Sequence, residues 1–413
     1  MKKNISLKTI FQAEDTKRLL SNFFSLSALQ GLNYILPIIT LPYLIKVLGA
    51  EYFGLLAFAN ATIAYLVIIT DYGFNLTATR EISIYRKNNK KIIEIFSVVL
   101  IIKILLMCLC FILLSIIVCS FDKFSKNYEI YFYTFGTVIG QVLFPIWFFQ
   151  GMETMKYITY LNILARTIFT IAIFIFVKDQ EDFYIVPILS SLGFVVASIL
   201  SLIIVKTKFN VGFEWQKKDI LIKYFKDSWN VFLIDFMPNL YNNFSTFLLG
   251  FFTSMEMLGY YSLATKIVNI FNSFIYVVRN TTYPYLSNNS SKFGIISKLT
   301  IFLGLLFSFT IICLSNNLFF YIFGDIMQKS LLLIYILALS PFFLSITITF
   351  GSNKLLVLKK DREMKNITYI YSIFGFVLAL SIIPIYGAIG AAYTLVITRG
   401  LTSCLTFIKA RSL

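Results

Sequence analysis

The sequence predicts an all-α integral membrane protein of about twelve transmembrane helices in two six-helix bundles, and three observations carry that prediction. The 413 residues are 58% hydrophobic and only 14% charged, with a mean hydropathy of +0.80, against about 25% charged residues in a soluble domain. Apolar runs long enough to cross a bilayer recur from end to end. Short motifs return at about half the chain length.

A hydrocarbon core of about 30 Å needs roughly 20 apolar residues per helix. On that ruler the spans lie near 21–45, 53–71, 97–118, 130–149, 157–177 and 184–205, then near 229–251, 260–281, 299–316, 331–352, 367–385 and 388–408. Pro341 and the Gly387/Gly390 pair interrupt the tenth run and the join of the last two, and membrane helices tolerate both residue types. Residues 1–20 read as a cytosolic amphipathic lead-in, 21–205 as the N-terminal bundle, 206–228 as a cytosolic linker and 229–413 as the C-terminal bundle. The lead-in carries Lys2, Lys3 and Lys8 and shows no cleavage site of the secretory kind.

An even span count puts both termini on one side. With that side cytosolic, the cytosolic segments hold 26 of the 36 Lys and Arg and the opposite loops 5, a strong positive-inside bias. The net charge of +16 therefore belongs to membrane topology, and no nucleic-acid partner is expected. Glu51-Tyr52-Phe53-Gly54 returns as Glu256-Met257-Leu258-Gly259, and Met155-Lys156 as Met364-Lys365, at offsets of 205 and 209 residues. Both motifs join equivalent helix pairs, which fits a repeat of two six-helix units with a substrate path between them.

Five cations remain inside spans: Lys103, Arg166, Lys266, Arg279 and Arg399. An intramembrane charge costs at least about 2.5–3.5 kcal/mol and usually faces a watery interior. Lys103 and Arg279 sit nearer span ends, where a long side chain can snorkel; Arg166 and Arg399 fall near mid-span. The acids Asp71 and Asp235 are the candidate coupling carboxylates. Polar stripes run through span 1 (Gln30, Asn33), span 7 (Asp235, Asn239, Asn242) and span 8 (Lys266, Asn269, Ser273) at helical spacing. Such stripes either glue helices together or line a lumen. Aromatic clusters at span ends, Tyr131-Phe132-Tyr133 and Trp147-Phe148-Phe149, read as interfacial belts.

Catalytic signatures are missing: the chain has no histidine, no nucleotide-binding GxxxxGK[ST], no CxxC and no long outward loop. A transporter rather than an enzyme is expected, with no bound cofactor or metal and with H+ or Na+ as the coupling ion.

The stretch LPYLIKVLGAEYFG (Leu41–Gly54), followed by DYGFNLTATREI (Asp71–Ile82), resembles the N-terminal signature of Wzx-type O-antigen and polysaccharide flippases of the multidrug/oligosaccharidyl-lipid/polysaccharide exporter superfamily. PIWFFQGMETMKYI (Pro145–Ile158), EMLGYYSLATKI (Glu256–Ile267) and YGAIGAAYTLVI (Tyr386–Ile397) resemble later landmarks of that family in the same order. The resemblance implies a V-shaped alternating-access transporter in the bacterial inner membrane, with both termini cytosolic. Its implied substrate is an undecaprenyl-pyrophosphate-linked glycan repeat unit, and its partners are membrane lipids and other glycan-assembly proteins. The cation-lined lumen of the family matches Arg166, Lys266, Arg279 and Arg399 in kind, and Arg80 by its place in the NLTATRE motif. A cation-coupled multidrug exporter of the same superfamily is the alternative, and the scarcity of buried acids speaks against it.

Overall fold

The computed structural model describes residues 13–237, 239, 243–288 and 292–412. Among them the chain is helical, and no strand occurs. Eight of the helical stretches are individually long and apolar enough to cross a membrane, and the 51-residue Asp361–Arg411 is one of them. Each of the twelve expected spans coincides with one helix, one half of a kinked helix or one broken helix.

The first two spans form a single kinked helix, α1 (Ala13–Asp71), broken at Gly49. Its φ of 71° lies in a region open to glycine at little cost and strained for other residues. After the short α2 (Phe74–Ile84) come α3 (Asn89–Ser120), α4 (Tyr128–Leu143), α5 (Ile146–Gly151), α6 (Met155–Phe176) and α7 (Ile185–Phe209). Then follow α8 (Lys218–Phe236), α9 (Phe244–Phe252), α10 (Met255–Asn288) and α11 (Phe293–Asn316). The tenth span is α12 (Asp325–Leu337), α13 (Ser340–Ile346) and a π-helix over Thr347–Leu356, with Pro341 in the first turn of α13, where its missing N–H costs nothing. The last helix, α14 (Asp361–Arg411), kinks at Gly387 (φ 55°) and so holds two spans.

Two compact units emerge. One comprises the described residues up to Leu41 with Tyr65–Lys178 and Tyr184–Ile234; the other comprises Pro42–Ala64, Asp179–Phe183 and the chain from Asp235 onward. The stretch Pro42–Ala64, which spans the Gly49 kink, thus clusters with the C-terminal helices. Within this second unit Gly54 lies so close to α10 that a Cβ there would fall 1.8 Å from the Met255 carbonyl oxygen and 2.7 Å from the Gly259 nitrogen. Reciprocally, a Cβ on Gly259 would fall 2.0 Å from the Ala50 carbonyl oxygen. The two glycines of the repeated motif therefore meet each other, backbone against backbone.

The first unit is cored by aromatic residues. Trp147, Phe148, Phe149 and Tyr131 have no exposed surface, which corrects the expectation of an interfacial belt at these positions. The reason is the break at Pro145: α5 turns its rings inward, where Phe148 and Phe149 meet Phe209 of α7 at 5.2 and 6.2 Å and Gly151 lets the chain close on Ile82 of α2. In the same unit Tyr72 is stacked between Phe225 and Phe232 of α8 at 4.2 and 5.0 Å, and Thr77 and Ser228 share a hydrogen bond of 2.9 Å. All five cysteines are free thiols.

A cation-lined cavity in the C-terminal unit

The second unit contains a cavity of about 620 Å³ whose wall is built mainly by three helices, with a fourth closing it. From α1 come Ala57, Asn60, Ala61 and Ala64; from α10 come Tyr261, Ser262, Thr265, Lys266, Asn269 and Tyr276; and from α14 come Leu395 and Arg399. Asn243 and Thr246 of the α9 region complete it. The small residues of α1 leave the room, and the i, i+4, i+8 recurrence of Tyr261, Thr265 and Asn269 turns one face of α10 into it. A second cavity of about 390 Å³ continues it, sharing Tyr276 and Arg399 and adding Arg279, Thr347, Ser352, Thr368 and Thr402. Both volumes fall within the range of small-molecule sites, about 300–1,000 Å³.

Three of the cations singled out in the sequence are thus brought together. Lys266 stands over the ring of Phe53 at 4.6 Å, a cation–π contact that holds the ammonium without neutralising it. Arg399 donates to the hydroxyl of Ser340 and faces both cavities. Arg279 belongs to the smaller one. Among the described residues no carboxylate lines either space. Two buried hydroxyls on the wall of the larger cavity, Tyr261 Oη and Ser262 Oγ, have no hydrogen-bond partner among the described residues.

Asn269 lines the larger cavity as the stripe on span 8 suggests, whereas Ser273 turns its hydroxyl back onto the Asn269 carbonyl at 2.7 Å. Asn243 lines the cavity, and Asn239 stands behind it in hydrogen-bond contact, accepting from Asn243 Nδ2 at 2.9 Å. Sequence reasoning missed Asn243, Asn60, Tyr261 and Tyr276. A lone Asn in the apolar LLAFANATIAY run was the available signal for Asn60. The side chains of Gln30, Asn33, Asp235 and Asn242 lie outside the described residues.

The remaining candidates belong to the first unit. Arg80 is exposed on α2. Arg166 lines a crevice of only about 20 Å³ with Asn162, Ser190 and Phe194, and its Nε is buried without a partner among the described residues. Lys103 is 1% exposed and pairs with Asp71 at 2.8 Å, also reaching the Gln141 carbonyl at 3.5 Å. Asp71 accepts from Asn75 at 3.3 Å as well, so this carboxylate already holds an ion pair.

The profile of a family described as polysaccharide biosynthesis protein matches residues 19–290. The chain belongs to that family. Two relatives, from Escherichia coli (strain K12) and Shigella dysenteriae, are provisionally named O-antigen transporters. They are 28% and 26% identical, over 95% and 92% of this chain and 96% of each relative. Among solved structures, an inward-closed form of the lipid II flippase MurJ superposes with a TM-score of 0.74 at 14% identity, over 96% of this chain and 87% of MurJ. An inward-facing multidrug resistance transporter of the MATE family and MOP superfamily reaches 0.71 at 14% identity, over 91% and 94%. The fold of this family member is accordingly that of the MATE and MurJ transporters, a multi-pass helical membrane protein.

Proposed function

We propose that the chain is an inner-membrane flippase that carries undecaprenyl-pyrophosphate-linked O-antigen or capsule-type repeat units from the cytosolic to the periplasmic leaflet by alternating access. The observation that carries this reading is the acid-free cavity bearing Lys266, Arg279 and Arg399. Such a site attracts a diphosphate electrostatically, and the arginines can grip its oxygens with two parallel donors. Neighbouring Asn and Tyr side chains suit sugar hydroxyls. Family membership and the names of the two relatives support the same class of substrate. H+ or Na+ supplies the driving force in this proposal, with Asp235 or Asp71 as the coupling carboxylate. A cation-coupled drug exporter would need acids in the cavity to attract its substrate, and the described wall offers none.

Deletion of the gene in its host, with analysis of surface glycan and lipid-linked intermediates, tests the reading. Loss of surface glycan with accumulation of repeat units on the cytosolic side is expected. Unchanged glycan together with new sensitivity to cationic drugs would transfer the chain to the exporter class.

A further inference from the structure

The first four turns of α8 present three different faces. Ile220, Leu221, Tyr224 and Phe232 pack against the first unit's core, and Ser228 is buried on the same side. Lys223, Lys226, Asp227 and Asn230 occupy a second, exposed face. The third is apolar and partly open: Ile222, Phe225 and Trp229 recur at i, i+3 and i+7, and although Phe225 and Trp229 each lean one side on Tyr72, at 4.2 and 6.3 Å, the three keep 41, 38 and 48% of their surface open. Just before the helix the chain adds Phe213 and Trp215 to the exposed apolar surface, Trp215 being 85% open. Leaving several rings in water is costly, and a helix divided this way matches neither a buried span nor a water-bathed linker.

Charge identifies what covers the apolar face. Residues 206–229 carry six lysines, Lys206, Lys208, Lys217, Lys218, Lys223 and Lys226, against Glu214, Asp219 and Asp227. Lys208 also stands over the Tyr157 ring at 5.2 Å; Lys217, Lys218, Lys223 and Lys226 are exposed. Aromatic rings flanked by ammonium groups are the composition that settles into the headgroup boundary, and a lysine near an anionic lipid surface contributes about 1 kcal/mol. We infer that the segment from Phe213 to Trp229 is a binding surface for anionic phospholipid headgroups of the adjoining leaflet, the cytosolic one by the Lys/Arg bias. Ile222, Phe225 and Trp229 lie among the upper acyl chains, and the lysines take the phosphates. This inference rests on the membrane assignment alone and stands apart from the identity of the transported glycan.

The chain has three tryptophans, and Trp147 is fully buried, so Trp215 and Trp229 report on this surface directly. The experiment reconstitutes the full-length protein in vesicles of equal parts phosphatidylglycerol and phosphatidylcholine, with bromine on the chains of one lipid or the other. Bromine on phosphatidylglycerol is expected to quench at least twice as strongly as on phosphatidylcholine. The difference should disappear when Lys217, Lys218, Lys223 and Lys226 are replaced by Gln, and it should shrink in wild-type protein as salt rises. The salt series keeps the test decisive if the quadruple variant does not fold. A Trp215→Phe/Trp229→Phe protein should lose most of the quenchable emission. Equal quenching by the two lipids overturns the inference, and so does quenching by aqueous iodide with none by brominated chains.

Discussion

Arg399 and Tyr276 are the residues on which the two cavities converge, and the Arg399 guanidinium donates to a neutral hydroxyl, that of Ser340. A charge-assisted hydrogen bond to a substrate phosphate contributes roughly 1.5–3 kcal/mol, so Arg399→Ala and Lys266→Ala should each lower glycan export about tenfold or more at unchanged protein level. Arg399→Lys should recover part of the loss, because charge returns without the fork; normal export by both alanine variants, measured in the deletion host, would remove these cations from the substrate path. The Asp71–Lys103 pair leads to a different expectation. Lys103 is buried while Asp71 keeps 28% of its side chain open, so leaving the lysine unpaired costs up to about 3–5 kcal/mol; Asp71→Asn should lower the thermal unfolding midpoint, and Asp71→Asn/Lys103→Met should restore much of it. A drop in gradient-driven flipping for Asp235→Asn in vesicles, with the midpoint unchanged, is the result expected of a coupling carboxylate. The intramembrane cations were legible one by one because charge in an apolar run is conspicuous. Their grouping was not: Arg166 and Arg399 look alike in sequence, yet one lines a crevice in the first unit and the other a cavity in the second.

At the scale of elements, the expected spans fall on helical stretches among the described residues, and the breaks at Pro341 and Gly387 stand where the residues announced them. Three features were hidden because tertiary packing decides them. The stretch Pro42–Ala64 around Gly49 clusters with the C-terminal helices. Helix α8 begins at Lys218, well before the apolar run of the seventh span. A ten-residue π-helix, of a kind that often marks functional sites, places Thr347 and Ser352 on the smaller cavity. The crossing of α1 and α10 supplies a direct test. A Cβ at Gly54 or Gly259 would sit at 1.8 or 2.0 Å from a backbone oxygen, and rigid helices cannot yield that much cheaply. Gly54→Ala and Gly259→Ala are therefore expected to lower the unfolding midpoint and the export rate together. Gly294→Ala, with nothing within 4 Å of its added carbon, should change neither.

Across the whole molecule, the Lys/Arg distribution fixes an expected orientation that reporter fusions can read. Fusions after Lys217, Lys360 and the C-terminus should report cytosol, and fusions after Lys126 and Asp182 should report periplasm; a periplasmic C-terminus would break the scheme. Composition made the membrane class legible, but the enclosure of the cavity within one unit depends on side-chain sizes spread over α1, α10 and α14 that no local pattern relates. The meeting of Gly54 with Gly259 reaches further back than the present chain. If the halves descend from a duplicated six-helix ancestor, the reciprocal approach of residues 50–54 and 255–259 is what a two-fold axis between identical copies would produce. On such an axis every mutation enters the contact twice, and a methyl group admitted at the glycine would have collided from both sides at once. On that descent a fusion of the genes would have released the constraint for the neighbours, which now differ as Tyr52-Phe53 and Met257-Leu258, and would have left the pair of glycines as its trace.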